Sequence, residues 1–332
     1  MRQPDFDQLL KVLAREVPDR PTLFEFFLNG PLYEHYCGYK LTAGNAAQSL
    51  ADAFAAAGYD YCTLTGYGID FPRGEFHREK SISLNEGAMI GSWEDFDRYP
   101  WPDVAVANYS PLATTKLRDG MKIIAHGPCG VLENLIRLVG YDRLCLLLAD
   151  DPSLVKAVTD RIGAILLLHY ERCLEFPQVG ACISNDDWGF QQQPMLSPND
   201  MRQYIIPWHV KIVDTIHAAG LPAILHSCGN AFTCGLIDDV IDVCHFDARH
   251  SFEDKILPVE EAYERYHQRI ATLGGIDLDF LCRSSPAKIR QRSLAMLERA
   301  AARGGYALGS GNSIPEYVPM ENYFAMVGAV TG

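Results

Sequence analysis

Eight times along this chain a short run of strand character gives way to a stretch of helical periodicity. The apolar runs begin near residues 22, 59, 121, 180, 222, 243, 269 and 306. Strands separated by helices cannot be joined by tight hairpins, so this alternation restricts the sheet to parallel pairing. Eight such units, with no shift of composition between them, predict an α/β fold of the (β/α)8 TIM-barrel type. It would form one domain over residues 1–332, with an N-terminal helical extension at residues 5–16. A length of 332 residues and a hydrophobic content of 48% supply enough material for that core.

The punctuation between the runs agrees with this reading. Asp151-Pro152 and Ser197-Pro198-Asn199-Asp200 place a capping side chain before a proline, as helix starts do. Helices are predicted over 131–148 and 152–176, and the first strand over Thr22–Phe27. A polar excursion follows the second strand and contains Arg73, Glu75, His77 and Arg78.

Charge excludes some functions. A net charge of −13 and a pI near 5.2 oppose a phosphate backbone, so no nucleic-acid partner is expected. No apolar run of about 18 residues appears and the N-terminus lacks a signal-peptide core, so the expectation is a cytoplasmic protein without a membrane partner. The ten cysteines are irregularly spaced and none forms a CxxC pair, which excludes thioredoxin-like and zinc-ribbon motifs.

In a (β/α)8 barrel, reactive groups collect where strands end. Polar residues crowd those positions here: Glu25, His126, Asn185, Asp186, Asp187, His226, Cys228, Asp247, His250, Asp277 and Asn312. The sharpest pattern is Ala223-Ile224-Leu225-His226-Ser227-Cys228-Gly229-Asn230. Residues two apart on an extended strand share a face, so His226 and Cys228 are candidate ligands of one metal ion. Asp186 and Asp187 are adjacent and point to opposite faces, so at most one enters the barrel mouth. Glu25 lies inside an apolar run, where a carboxylate needs a partner or a ligand. His126, His250, Asn185 and Asn312 are candidate substrate-binding groups. Histidines 35, 77, 169, 209, 217, 245 and 267 carry no spacing argument and are assigned structural places.

His226-Ser227-Cys228-Gly229-Asn230, Asn185-Asp186-Asp187-Trp188-Gly189, the Gly127-Pro128 strand exit and the closing Gly309-Ser310-Gly311-Asn312 to Glu321-Asn322-Tyr323 segment resemble the uroporphyrinogen decarboxylase superfamily. The likeness runs over essentially the whole chain and leans toward its cobalamin-dependent methyltransferase branch. In genuine decarboxylases a cationic Arg-x-x-x-Arg segment after the first strand holds the substrate carboxylates. Here that stretch is Phe24-Glu25-Phe26-Phe27-Leu28-Asn29-Gly30, so porphyrinogen decarboxylation is disfavoured.

In the methyltransferase branch, zinc is held by His-x-Cys and a cysteine at the exit of the last strand. His226 and Cys228 match the first two, whereas Asn312 stands where the third is expected. Either Glu25, Asp187, His250 or Cys234 completes the shell, or no zinc binds. The resemblance implies methyl transfer from an ether or amine donor to a corrinoid carried by a partner protein, with Asp187, Asp186 or Glu25 in catalytic roles. Two other readings stay open: a metal-independent decarboxylase or lyase on a small carboxylate, and a non-catalytic corrinoid-handling barrel.

Overall fold

The computed structural model describes residues 2–75 and 83–332. Among the described residues, seven strands form one parallel sheet whose spatial order is the chain order: β1 (Tyr61–Leu64), β2 (Lys122–His126), β3 (Val179–Asn185), β4 (Ala223–His226), β5 (Ala248–His250), β6 (Ala271–Leu273) and β7 (Tyr306–Ala307). Helical segments separate the successive strands, as parallel pairing of sequential strands requires. Strand residues are buried on both faces, which explains why these segments read as unbroken apolar runs rather than alternating ones.

The segment predicted as the first strand differs. Leu23 forms a single parallel bridge with Leu308, through Phe24 N to Leu308 O (2.8 Å) and Leu308 N to Thr22 O (2.9 Å). On its other side the contact with β1 is made by hydroxyls. Tyr61 Oη accepts from Glu25 N and donates to Glu25 O, both at 2.7 Å, and Thr63 Oγ1 donates to Phe26 O at 2.9 Å. Side chains therefore stand where a ladder of amides would otherwise run, and this segment forms no regular strand.

Two other expectations shift. The helix predicted over 131–148 is two helices, Val131–Val139 and Tyr141–Asp150, divided at Gly140, whose φ of 83° no L-residue adopts readily. The strand predicted from Val243 starts only at Ala248, because residues 239–243 still belong to a helical turn. Both capping predictions match the structure: Leu154 N donates to Asp151 Oδ1 (3.1 Å) and Asp200 N to Ser197 Oγ (3.1 Å). The N-terminal helix Phe6–Leu13 packs under the sheet, with Phe6 N bonded to Gly120 O and its ring against Gly180. His77 and Arg78 lie outside the described residues. Among the described residues no helix is long and apolar enough to cross a membrane.

Candidate metal centre

Register places the site. Asn185 pairs with His226, and His226 with His250, so the ends of β3, β4 and β5 lie side by side. Just beyond these ends the loops touch. A Cβ on Gly229 would lie 2.0 Å from the carbonyl oxygen of Gly189, and Gly229 has a φ of 88°, so only glycine lets the two loops close up beside Cys228.

One ligand atom each of Asp187, His226 and Cys228 lies within 4.8 Å of the others. His226 Nε2 is 3.9 Å from Cys228 Sγ, and Asp187 Oδ1 accepts from Cys228 N at 2.7 Å. A tetrahedral zinc with bonds of about 2.0–2.3 Å sets neighbouring ligand atoms roughly 3.3–3.8 Å apart. The nitrogen, sulfur and oxygen donors thus match zinc in type, and the His226–Cys228 separation lies close to that spacing. Burial drives the His226 imidazole down to about 3, keeping it neutral, and pushes the Cys228 thiol up. A thiol held neutral by desolvation is one that a bound cation would ionise.

The remaining sequence candidates divide around this trio. Asn312 Nδ2 donates to Cys228 Sγ at 3.0 Å, and its Oδ1 accepts from Ser313 N at 2.7 Å. The amide oxygen is thereby turned away from the sulfur, so Asn312 offers Cys228 a hydrogen-bond donor and no oxygen. Ser251 Oγ, absent from the sequence candidates, adds a second donor to the same sulfur at 3.4 Å. Neither Cys234, His250 nor Glu25 belongs to the donor group. Asn185 Oδ1 is buried without a partner among the described residues. His126 stands half-buried with Phe26 and Phe27 edge-on to its ring, and burial takes it down to about 4.

The two adjacent aspartates separate. Asp186 is fully buried and turned toward the surrounding helices. It accepts from Leu132 N and Glu133 N at the start of the helix Val131–Val139, from Trp188 Nε1, and from His209 Nε2 at 2.8 Å. All four partners belong to the protein. Asp187 is half-buried and lines a 240 Å³ cavity with Arg137, Glu133 and Met195. On the other flank, Asn312, Gln191, Phe252 and Glu253 line a 460 Å³ cavity. Glu133 escaped the sequence reading because it sits on an apolar helix; burial and the nearby Asp187 raise its carboxyl to about 8. Arg249, fully buried with Nε and Nη1 unpartnered among the described residues, was also missed. Its charge at the exit of the predicted strand, directly before His250, was the available signal.

Glu25 faces Ser310 instead of the trio. Its Oε1 accepts from Ser310 N at 2.6 Å, and Oε2 lies 2.7 Å from Ser310 Oγ. The Ser310 hydroxyl also contacts the carbonyl of Asn312, which can only accept. A serine has one proton, so once it goes to Asn312 the carboxyl must supply the proton between Glu25 and Ser310. That agrees with burial raising the Glu25 carboxyl from 4.5 to about 8. Between those values the folded chain holds a proton that the unfolded chain has released, so this group's stabilisation is lost as pH rises. The expected slope is up to about 1.4 kcal/mol per pH unit. In Glu25→Gln that slope disappears, and urea midpoints at pH 5 and pH 8 converge relative to wild type. Parallel pH profiles of the two proteins would show instead that Glu25 titrates as an ordinary carboxylate.

Residues 89–332 match the family model described as uroporphyrinogen decarboxylase (URO-D). The chain belongs to the uroporphyrinogen decarboxylase family. A uroporphyrinogen decarboxylase of Anaeromyxobacter is 24% identical over 219 residues, which is 64% of this chain and 59% of that relative's length. A solved methyltransferase from Methanosarcina mazei superposes with a TM-score of 0.69 at 16% identity, covering 98% of this chain and 97% of its own. At that identity the likeness establishes a shared fold.

Proposed function

We propose that this family member is a methyltransferase that moves a methyl group from an ether or amine donor to a corrinoid carried by a partner protein, with zinc held by His226, Cys228 and Asp187. On this reading residues 1–332 form one (β/α)8 unit in which the Thr22–Phe27 segment serves as the eighth stave, and the protein works in the cytoplasm. The carrying observation is the nitrogen–sulfur–oxygen trio at the strand ends, flanked by a cavity on each side.

Three protein donors leave a fourth position for substrate, the pattern of a catalytic rather than a structural zinc. When bound, zinc supplies Lewis acidity to the heteroatom carrying the methyl group, and the corrinoid supplies the nucleophile. The chain's own residues do the rest. Asn312 and Ser251 donate to the Cys228 sulfur and so hold the thiolate in place without neutralising it. Asn185, with its unpartnered acceptor, and the neutral His126 orient the donor from β3 and β2. His226 stays uncharged and available as a ligand because it is buried.

The test is methyl transfer to reduced corrinoid, followed by the absorbance of the methylated cofactor, with a panel of methyl ethers and methylamines. Zinc-loaded protein should methylate the corrinoid with at least one of them, and a chelator should stop it. Carbon dioxide release from a small carboxylic acid by chelator-treated protein, without corrinoid methylation, would contradict the proposal.

A further inference from the structure

Behind His226 runs a chain of hydrogen bonds that no metal ligand requires by itself. His226 Nδ1 lies 2.8 Å from His250 Nδ1, and His250 Nε2 lies 3.2 Å from the main-chain carbonyl oxygen of Ser310. Both rings are buried, His250 completely, with Arg249 as its chain neighbour. We propose that His250, anchored on the Ser310 carbonyl, is a positioning residue that fixes His226 as its Nδ1–H tautomer and turns the bare Nε2 toward Asp187 and Cys228.

The assignment follows from counting protons. A carbonyl oxygen only accepts, so His250 Nε2 must carry a hydrogen. Two Nδ1 atoms in hydrogen-bond contact share one proton between them. Were it on His250, that ring would be an imidazolium buried next to a guanidinium, which desolvation and like charge both oppose. The shared proton therefore belongs to His226 Nδ1. His226 Nε2 is then a lone pair, facing Cys228 Sγ at 3.9 Å. An unconstrained imidazole has no such obligation, and with its proton on Nε2 it could not ligate through that nitrogen.

The anchor is itself rigid. Ser310 O also accepts from Gly275 N at 2.8 Å, and Glu25 grips the Ser310 amide. Gly274 has a φ of 70°, and a Cβ there would lie 2.2 Å from Ser310 O and 3.0 Å from the His250 ring. Only glycine allows the carbonyl and the imidazole to meet over that position. Glu25, a sequence candidate for the shell, thus acts three steps from it, through Ser310, His250 and His226.

This inference rests on the proposed metal site, but its first test does not need the metal. In 15N-labelled, metal-free protein, long-range proton–nitrogen correlation should show His226 protonated on Nδ1 and His250 on Nε2. A His226 protonated on Nε2 overturns the relay whatever the metal does. Zinc affinity, measured by competition with a chromophoric chelator, supplies the second readout. His250→Phe removes the acceptor and should weaken zinc by about 10–100-fold, as loss of a partner behind a ligand does elsewhere. His250→Gln keeps an acceptor oxygen and should recover most of that loss. Should His250→Phe not fold, the tautomer and the glutamine variant still decide. Equal zinc affinity in wild type and a folded His250→Phe overturns the proposal. A wild-type chain with the expected tautomers that binds no zinc would instead remove the metal reading and leave the tautomer assignment standing.

Discussion

Asp187→Asn is expected to weaken zinc binding by about 100-fold or more while leaving the urea midpoint nearly unchanged. Loss of a group that merely supports a ligand costs about 10–100-fold, and loss of a ligand itself should cost more. The fold should tolerate the change. Asp187 is half-buried and accepts one main-chain bond, from Cys228 N, which an asparagine oxygen can also accept. The stability difference should stay below about 1 kcal/mol. Isothermal titration with zinc, beside urea unfolding of the metal-free protein, reads both quantities. Unaltered zinc affinity would remove Asp187 from the ligand set.

Its neighbour should behave in the opposite way. Asp186→Asn is expected to destabilise the chain by about 3 kcal/mol or more. The carboxylate receives two amides at the start of the helix Val131–Val139, an indole N–H and an imidazole N–H, none of them exchangeable for water in so buried a place. An amide keeps one of those oxygens and turns donors against donors at the other. It also removes the negative charge at the helix start. Zinc affinity of the folded variant should stay within a few-fold of wild type. A variant as stable as wild type but without methyl transfer would mean that Asp186 meets the substrate rather than the fold.

The contrast shows what could be read from the sequence. That Asp186 and Asp187 face apart follows from strand geometry alone. Which of them faces His226 depends on the Asn185–His226 register, set by hydrogen bonds between distant segments. Seven of the strands announced themselves as apolar runs because parallel strands are buried on both faces. The segment at Thr22 carried the same signal, yet its partners on β1 are the hydroxyls of Tyr61 and Thr63, and no local pattern distinguishes a hydroxyl contact from an amide ladder. The late start of β5 had a similar cause: the apolar Val240, Ile241 and Val243 serve a helical turn.

At the site, His226 and Cys228 were legible because their spacing is local. The pairing of His226 with His250 was not, since it needs β4 and β5 in register. Ser310 acts largely through its main chain, as Glu25's amide partner and as His250's acceptor, and a main-chain role leaves little trace in residue identity. At Asn312, where the resemblance implies a third sulfur, an amide nitrogen donates to the sulfur that is present, and Asp187, just beyond β3, is the oxygen that lies within reach of His226 and Cys228.

Metal content decides whether Asp187, His226 and Cys228 hold zinc. Wild type, His226→Ala and Cys228→Ala would each be stripped, reloaded with zinc, passed through gel filtration and assayed by elemental mass spectrometry. About one zinc per chain is expected for wild type and a negligible amount for either variant. Wild-type protein that retains no more zinc than the two variants would contradict zinc binding by these three residues.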